Sequence, residues 1–306
     1  MHIVVMGAGG VGGYFGARLL RAGEQVTLVA RGAHLEALRR DGLTIRSAIE
    51  GEFTVRPAAV ETLDDVPRAD AVLFCVKAFD TEAAAARLRP VLGPDTAVLS
   101  LQNGVDNEER IDAVLGRGHA MGGVAQVFAV IDAPGVIVHH FLGRIIFGEL
   151  DGRRTPRAER LLAAFERAGI PVELTADVRR ALWEKYAFIC AVAGMTAVTR
   201  CTIGVVRETP AAWRMFGTLL EEVAALGRAA GVALPADTVD RLLKLAGGIA
   251  PGSRASLAQD LQQGRRLELE ALHGHAVRLG ERLGVSTPAT CAVYAALEPH
   301  AAGRRD

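Results

Sequence analysis

Near the start of the chain, Gly7-Ala8-Gly9-Gly10-Val11-Gly12 has the G-x-G-x-x-G spacing that lets backbone approach a pyrophosphate. It follows a β-branched run, His2–Met6, and leads into an apolar-periodic stretch, Tyr14–Arg21, so strand, glycine turn and helix are expected in that order. In such a turn Gly7 permits the sharp bend, Gly9 admits the pyrophosphate and Gly12 lets helix and strand pack closely. The helix N-terminus adds free N–H groups and the positive end of its dipole. An NAD site usually carries an acid at the end of the second strand for the ribose 2′-hydroxyl. Here that strand ends Val29-Ala30-Arg31, and a permanently charged guanidinium fork suits a 2′-phosphate. NADPH is the expected cofactor. Lys77 and Asn103 follow the candidate strands Ala71–Cys75 and Ala97–Leu101, at the carboxyl ends where open α/β sheets take ligands. Asn103 is placed to bridge the nicotinamide ribose and a substrate.

A proton donor is also needed, because hydride reaching a carbonyl carbon leaves alkoxide charge on oxygen. Lys185 stands where Ala181–Cys190 runs into an apolar stretch lasting to Val198. A lysine beside a low-dielectric cleft has its pKa drawn toward neutrality, which fits it for that task. The competing reading is a snorkelling helix-end lysine, and residue types alone leave the two balanced. Glu268 could orient Lys185 or touch the cofactor. Read only as helix surface, however, Arg265–Glu268 and Arg266–Glu270 are ordinary i,i+3 and i,i+4 pairs.

Other chemistries are poorly served. His139-His140 lies in a strand-like run, and His273 and His275 lack a third ligand at zinc spacing, so no metal is expected. There is no Gly-x-Ser-x-Gly elbow. Cys75, Cys190, Cys201 and Cys291 are widely spaced, with no Cys-x-x-Cys pair, which suggests buried reduced thiols.

The elements that must position these groups fall into two patterns. The first half alternates short β-branched strands with helical stretches, as in a parallel sheet covered on both faces. Gly42–Val55, Gly135–Leu142 and Arg144–Glu149 look like hairpin-type strands, Arg157–Ala168 a helix, and Pro171–Leu174 a strand. Near Ala176 the character changes, and helices are expected over Val178–Thr199, Pro210–Ala230, Asp237–Leu245, Arg254–Leu283 and Ala289–Leu297. This gives a dinucleotide-binding domain over 1–175, an all-α domain over 176–306, and a frayed tail from Ala301.

Bulk properties agree with a small-molecule enzyme. The 306 residues carry 35 basic and 35 acidic side chains, so no charge excess marks a nucleic-acid or anionic-membrane partner. The N-terminus enters a strand with no signal peptide, and Ala187–Val198 is too short an apolar run to span a bilayer. The cytoplasm is the expected compartment, and the apolar helices leave a homodimer open.

Taken in order, Gly7–Gly12, Val29-Ala30-Arg31, Val76-Lys77-Ala78, Gln102-Asn103-Gly104, Leu182-Trp183-Glu184-Lys185 and Ser256…Gln259-Asp260…Glu268 resemble the ketopantoate reductase (2-dehydropantoate 2-reductase) family over nearly the whole chain. The resemblance implies a Rossmann-type doubly wound sheet followed by a helical domain like that of 6-phosphogluconate dehydrogenase. It implies reduction of a 2-oxo acid by NADPH, with Lys185 as general acid, Glu268 beside it and Ser256 on the substrate. It also implies cofactor contacts from Gly7, Ala8, Gly9, Gly10, Val11, Gly12, Arg31, Lys77, Asn103 and Glu268. One departure stands out. Where the family places pantoate-binding asparagines, this chain has Ile189, Ala193 and Ile203. Residues 185, 189 and 193 share a helical face, so the wall beside the donor is apolar. Loss of such polar partners can shift specificity by orders of magnitude. Ketopantoate leads, a bulkier or more apolar 2-oxo acid or ketone is a rival, and Ser253, Arg254 or Ser256 is available to hold a carboxylate. An NAD-linked D-2-hydroxy acid dehydrogenase and a non-catalytic dinucleotide sensor are the remaining alternatives.

Overall fold

The computed structural model describes residues 1–304, which form two compact units: Met1–Gln102 with Asp106–Val178, and Asn103–Val105 with the chain from Arg179 onward. The first unit carries strands β1 His2–Met6, β2 Gln25–Val29, β3 Leu43–Ser47, β4 Gly51–Val55, β5 Ala58–Val60, β6 Ala71–Phe74, β7 Ala97–Ser100, β8 Ala120–Ala133, β9 Val136–Gly148 and β10 Val172–Leu174. Its helices are α1 Gly10–Arg21, α2 Gly32–Arg40, α3 Thr81–Ala86, α4 Asn107–Leu115 and α5 Pro156–Arg167. The order across the sheet is β4-β3-β9-β8-β7-β6-β1-β2-β5, with β10 beside β9. From β8 through β5 every neighbour is parallel, while β8–β9 and β3–β4 are antiparallel.

Burial explains the strand sequences. In β1 the alternate residues Ile3 and Val5 enter one apolar cluster, and Val4 and Met6 enter another. A parallel strand covered on both faces therefore reads as an unbroken apolar run. The expected Gly42–Val55 hairpin is β3 and β4. The two segments expected at Gly135–Leu142 and Arg144–Glu149 are instead one strand, β9, with an irregularity around Leu142 and Gly143, both at positive φ. Its long partner β8 was not foreseen.

The second unit is helical: α6 Val178–Val198, which starts at the junction, α7 Ile203–Glu208, α8 Pro210–Ala229, α9 Thr238–Gly247, α10 Ser256–Gln262, α11 His275–Leu283 and α12 Pro288–Leu297. By length and composition α6 could cross a membrane, yet Ala187, Cys190, Ala191, Ala193 and Ala197 are each at most 1% exposed in this unit's own core. The single helix expected over Arg254–Leu283 is broken. It stops at Gln262, turns at Gly264 (φ 65°), runs without helix through Arg265–Glu268, and resumes as a π-helical turn, Glu270–Gly274. The tail is not frayed over its described part, because Leu267 N–H donates to the Ala301 carbonyl (2.9 Å) and Arg304 N–H to that of Gly264 (2.9 Å). Residues 305 and 306 of that expectation lie outside the described residues.

Candidate active site

The glycine turn begins where β1 ends. Gly7 has φ 102°, and a Cβ there would lie 3.0 Å from the Val76 nitrogen. A Cβ on Gly12 would sit 2.2 Å from the Gly7 carbonyl oxygen, and one on Gly10 would sit 2.0 Å from that of Ala129. Both positions exclude any side chain. Gly9 differs: nothing lies within 4 Å of a Cβ built on it, so its backbone faces open space. It is also the N-cap of α1, which has no side-chain cap and no acid in its first turn. Uncapped N–H groups and an uncompensated dipole above a glycine-rich turn suit the phosphates of a dinucleotide. Val11 is half-buried and Ala8 buried.

His34, which sequence reasoning missed, fixes this turn. Its Nε2 lies 2.9 Å from the Ala8 carbonyl, while its Nδ1 lies 3.1 Å from the Gly135 N–H. The carbonyl can only accept and the amide can only donate, so the ring is neutral with its proton on Nε2. Burial lowers its pKa, although the Ala8 bond opposes the shift.

The neighbouring strand ends carry the expected charges. Arg31 is the N-cap of α2, its side chain is 87% exposed, and its guanidinium lies 4.0 Å from the Asp80 carboxylate. Lys77 is exposed at the end of β6. Gln102, part of a motif already singled out but assigned no role there, holds this turn from beneath. Its amide nitrogen donates to the Val76 carbonyl (3.0 Å) and to Thr81 Oγ1 (2.9 Å), and Thr81 in turn donates to the Ala78 carbonyl (2.9 Å). A polar side chain two residues past a β-branched run, just before Asn103-Gly104, was the available signal. Nearby, burial pushes the carboxyl of Glu108 up to about 7.

In the helical unit Lys185 is half-buried on α6, flanked by the buried Trp183 and Tyr186. Glu184, next in sequence, is paired with Arg241 (2.7 Å). Ile189 is half-buried, whereas Ala193 is 1% and Ile203 0% exposed. Ser256 is the half-buried first residue of α10. Glu268 is 8% exposed and outside any helix, which overturns the surface-helix reading of Arg265–Glu268 and Arg266–Glu270. Arg265 pairs with Asp260 instead, and Glu270 is engaged by Arg278 and Tyr294. His273 is fully buried, with Nε2 bonded to the Cys190 carbonyl (2.9 Å), and burial drives its pKa down to about 4. Among the described residues no group of His, Cys, Asp and Glu could hold a metal. The four cysteines are free thiols, but only Cys190 is fully buried and Cys291 is exposed, so burial does not extend to all of them.

The family profile described as ketopantoate reductase PanE/ApbA matches residues 3–152, and its C-terminal counterpart matches 177–301. The chain belongs to the ketopantoate reductase family. It is 31% identical to a 2-dehydropantoate 2-reductase of Mesorhizobium japonicum, covering 96% of both chains. A crystal structure of a PanE/ApbA family ketopantoate reductase from Ralstonia eutropha superposes with a TM-score of 0.91 at 35% identity, covering 98% of both chains. A D-mandelate dehydrogenase solved with NADH and anilino(oxo)acetate shares the fold, with a TM-score of 0.90 at 20% identity over 98% of both chains. Members of the ketopantoate reductase family are oxidoreductases, and this chain carries the family's sheet-plus-helical-domain architecture. Within it the Ile189, Ala193 and Ile203 positions are divided by burial. Only Ile189 retains exposure, while the other two belong to the core.

Proposed function

We propose that this protein reduces a 2-oxo acid with NADPH, ketopantoate to pantoate being the first candidate, with Lys185 donating the proton and Glu268 steadying it. The observation that carries this reading is the use of lysine. Of 35 basic residues only three are lysines, namely Lys77, Lys185 and Lys244. Arginine serves nearly everywhere a fixed cation will do. An amine stands at the half-buried α6 position, and unlike guanidinium an amine can give up its proton near neutral pH.

Bound NADPH would supply the hydride. Gly9, the α1 N-terminus and Lys77 would hold its phosphates, and Arg31 would meet the 2′-phosphate. Asn103 would contact the nicotinamide ribose and the substrate. The Lys185 ammonium would protonate the substrate oxygen as charge develops on it, and Glu268 would fix the amine's direction. Ser256 would hold the substrate from α10, with Ile189 forming the adjoining wall. Free thiols fit a reducing cytoplasm.

The apolar Ile189 surface favours a second reading of the substrate, a more apolar 2-oxo acid. Following NADPH absorbance with ketopantoate and a series of branched and aromatic 2-oxo acids tests both readings. Saturable NADPH binding with no oxidation by any of them would replace the reductase with a dinucleotide sensor. Preferential turnover of NAD with D-2-hydroxy acids would make it a dehydrogenase.

A further inference from the structure

Among the described residues five arginines are withdrawn from the open surface: Arg18, Arg110, Arg157, Arg207 and Arg254. Four have evident reasons to be there. Arg18 bonds Glu50 and the carbonyls of Ala168 and Gly169, and Arg110 grips Glu82. Arg157 pairs with Glu149, and Arg207 caps the carbonyls of Gly247 and Ile249. Arg254 is different. Its Nε, like that of Arg18, is sealed from solvent with no hydrogen-bond partner, but where Arg18 pairs with Glu50 the Arg254 guanidinium forms no ion pair with any described residue. The residue is half-buried, so its unpartnered Nε carries a desolvation cost that an arriving anion would offset.

The surroundings say which anion. The backbone zips this segment to the start of α7 and to α6. Ile203 N–H donates to the Ser253 carbonyl (2.9 Å), Gly204 N–H to that of Pro251 (2.9 Å), and Ala255 N–H to Thr196 Oγ1 on α6 (3.4 Å). Arg254 is thus anchored on both sides, beside Ile203 and two residues before Ser256. At the one accessible position of the three, Ile189, the wall offers no amide, and a planar two-pronged cation is a group suited to a carboxylate.

We infer that Arg254 is the carboxylate anchor of this site and sets its preference for 2-oxo acids over neutral ketones. The inference rests on the reductase reading, which assigns the neighbouring Ser256 to the substrate.

The test compares wild type with Arg254→Met and Arg254→Lys, using ketopantoate and its uncharged 2-oxo amide. Arg254→Met should raise KM for the acid by about 100-fold, the span of a lost charge-assisted bidentate contact, with kcat changed far less. The amide should respond equally to wild type and variant, and Arg254→Lys should fall between. The melting temperature should hold or rise, because an unpaired partly buried charge has been removed. Equal losses on acid and amide, or a fallen melting temperature with unaltered KM, would overturn the assignment in favour of a packing role. Calorimetric titration of the NADP-loaded protein with ketopantoate gives a readout independent of turnover. If no 2-oxo acid is reduced, the reductase reading fails, while weakened binding in Arg254→Met still upholds the anchor. Unchanged binding in the variants refutes it.

Discussion

The hydroxyl of Tyr186 donates to the carbonyl of Leu272 at 2.6 Å, tying the residue after Lys185 to the π-helical turn that follows Glu268. One turn along α6 the Cys190 carbonyl meets His273, and a Cβ on Gly194 would lie 2.7 Å from that imidazole. Such π-turns recur at functional sites because they shift side chains out of helical register. Tyr186→Phe removes the first tie and is expected to lower stability by about 1–2 kcal/mol. It should reduce kcat more than it alters KM for NADPH. Denaturant melts alongside steady-state kinetics check this, and an unchanged kcat would leave the tie a purely structural role.

Replacing Lys185 by alanine should lower kcat/KM by about 10²–10⁴-fold, the range for a removed general acid. Lys185→Arg should not rescue, because guanidinium keeps its proton. The check is initial-rate kinetics on whichever 2-oxo acid wild type prefers. Near-normal turnover in the alanine variant would remove Lys185 from the reaction.

Arg31→Ala should weaken NADPH affinity by about tenfold or more while sparing NADH, given the size of a charge-assisted contact. Fluorescence titration of both cofactors measures the ratio, and the NADPH loss should shrink at high salt because Arg31 is exposed. Equal affinity of the variant and wild type for NADPH would remove its 2′-phosphate role.

Gly12→Ala is expected to abolish dinucleotide binding, since its methyl would sit 2.2 Å from the Gly7 oxygen. Gly9→Ala meets nothing in the protein, so any loss it causes comes from the ligand's approach. A folded Gly9→Ala protein with weakened NADPH affinity would therefore locate the pyrophosphate at this turn. Undiminished affinity would place it elsewhere.

Acidity should act on the two units in opposite directions. His273 has its pKa lowered to about 4 by burial, so the neutral ring is the folded form. Its contribution is complete above the unfolded value near 6.5 and is lost as pH falls from there toward 4. Glu108, raised to about 7, folds as the neutral acid. Its contribution is complete below about 4.5 and is lost as pH climbs through 7. Glu108→Gln should flatten the alkaline side of the stability profile, and His273→Gln the acid side. Urea melts from pH 4 to 8.5 measure both, and parallel profiles for wild type and variants would contradict the signs.

Much of the cofactor side was legible because a glycine turn between a β-branched strand and an apolar-periodic helix is local chemistry. β1, β2, α1 and the long α6 follow from that kind of pattern. β8 was not visible. It begins Ala120-Met121-Gly122-Gly123, which looks like a break, yet a Cβ on Gly123 would lie 2.4 Å from the Ser100 oxygen, so glycine is what lets β8 lie against β7. Gly264 carried the opposite lesson. Periodic apolar residues on either side suggested one helix, while its left-handed φ of 65° ends α10 and frees Glu268 from the helical surface. The roles of His34 and Gln102 were hidden because each acts on backbone far away in sequence.

The two bonds joining Gly264 and Leu267 to Arg304 and Ala301 have an evolutionary consequence. They set the spacing of the Glu268 loop by a strap more than thirty positions downstream, so the length of the intervening segment is as constrained as the loop itself. Insertions that surface turns elsewhere would absorb should here register as altered turnover, and slipping the strap by one residue offers a way to retune the site without touching any group within it.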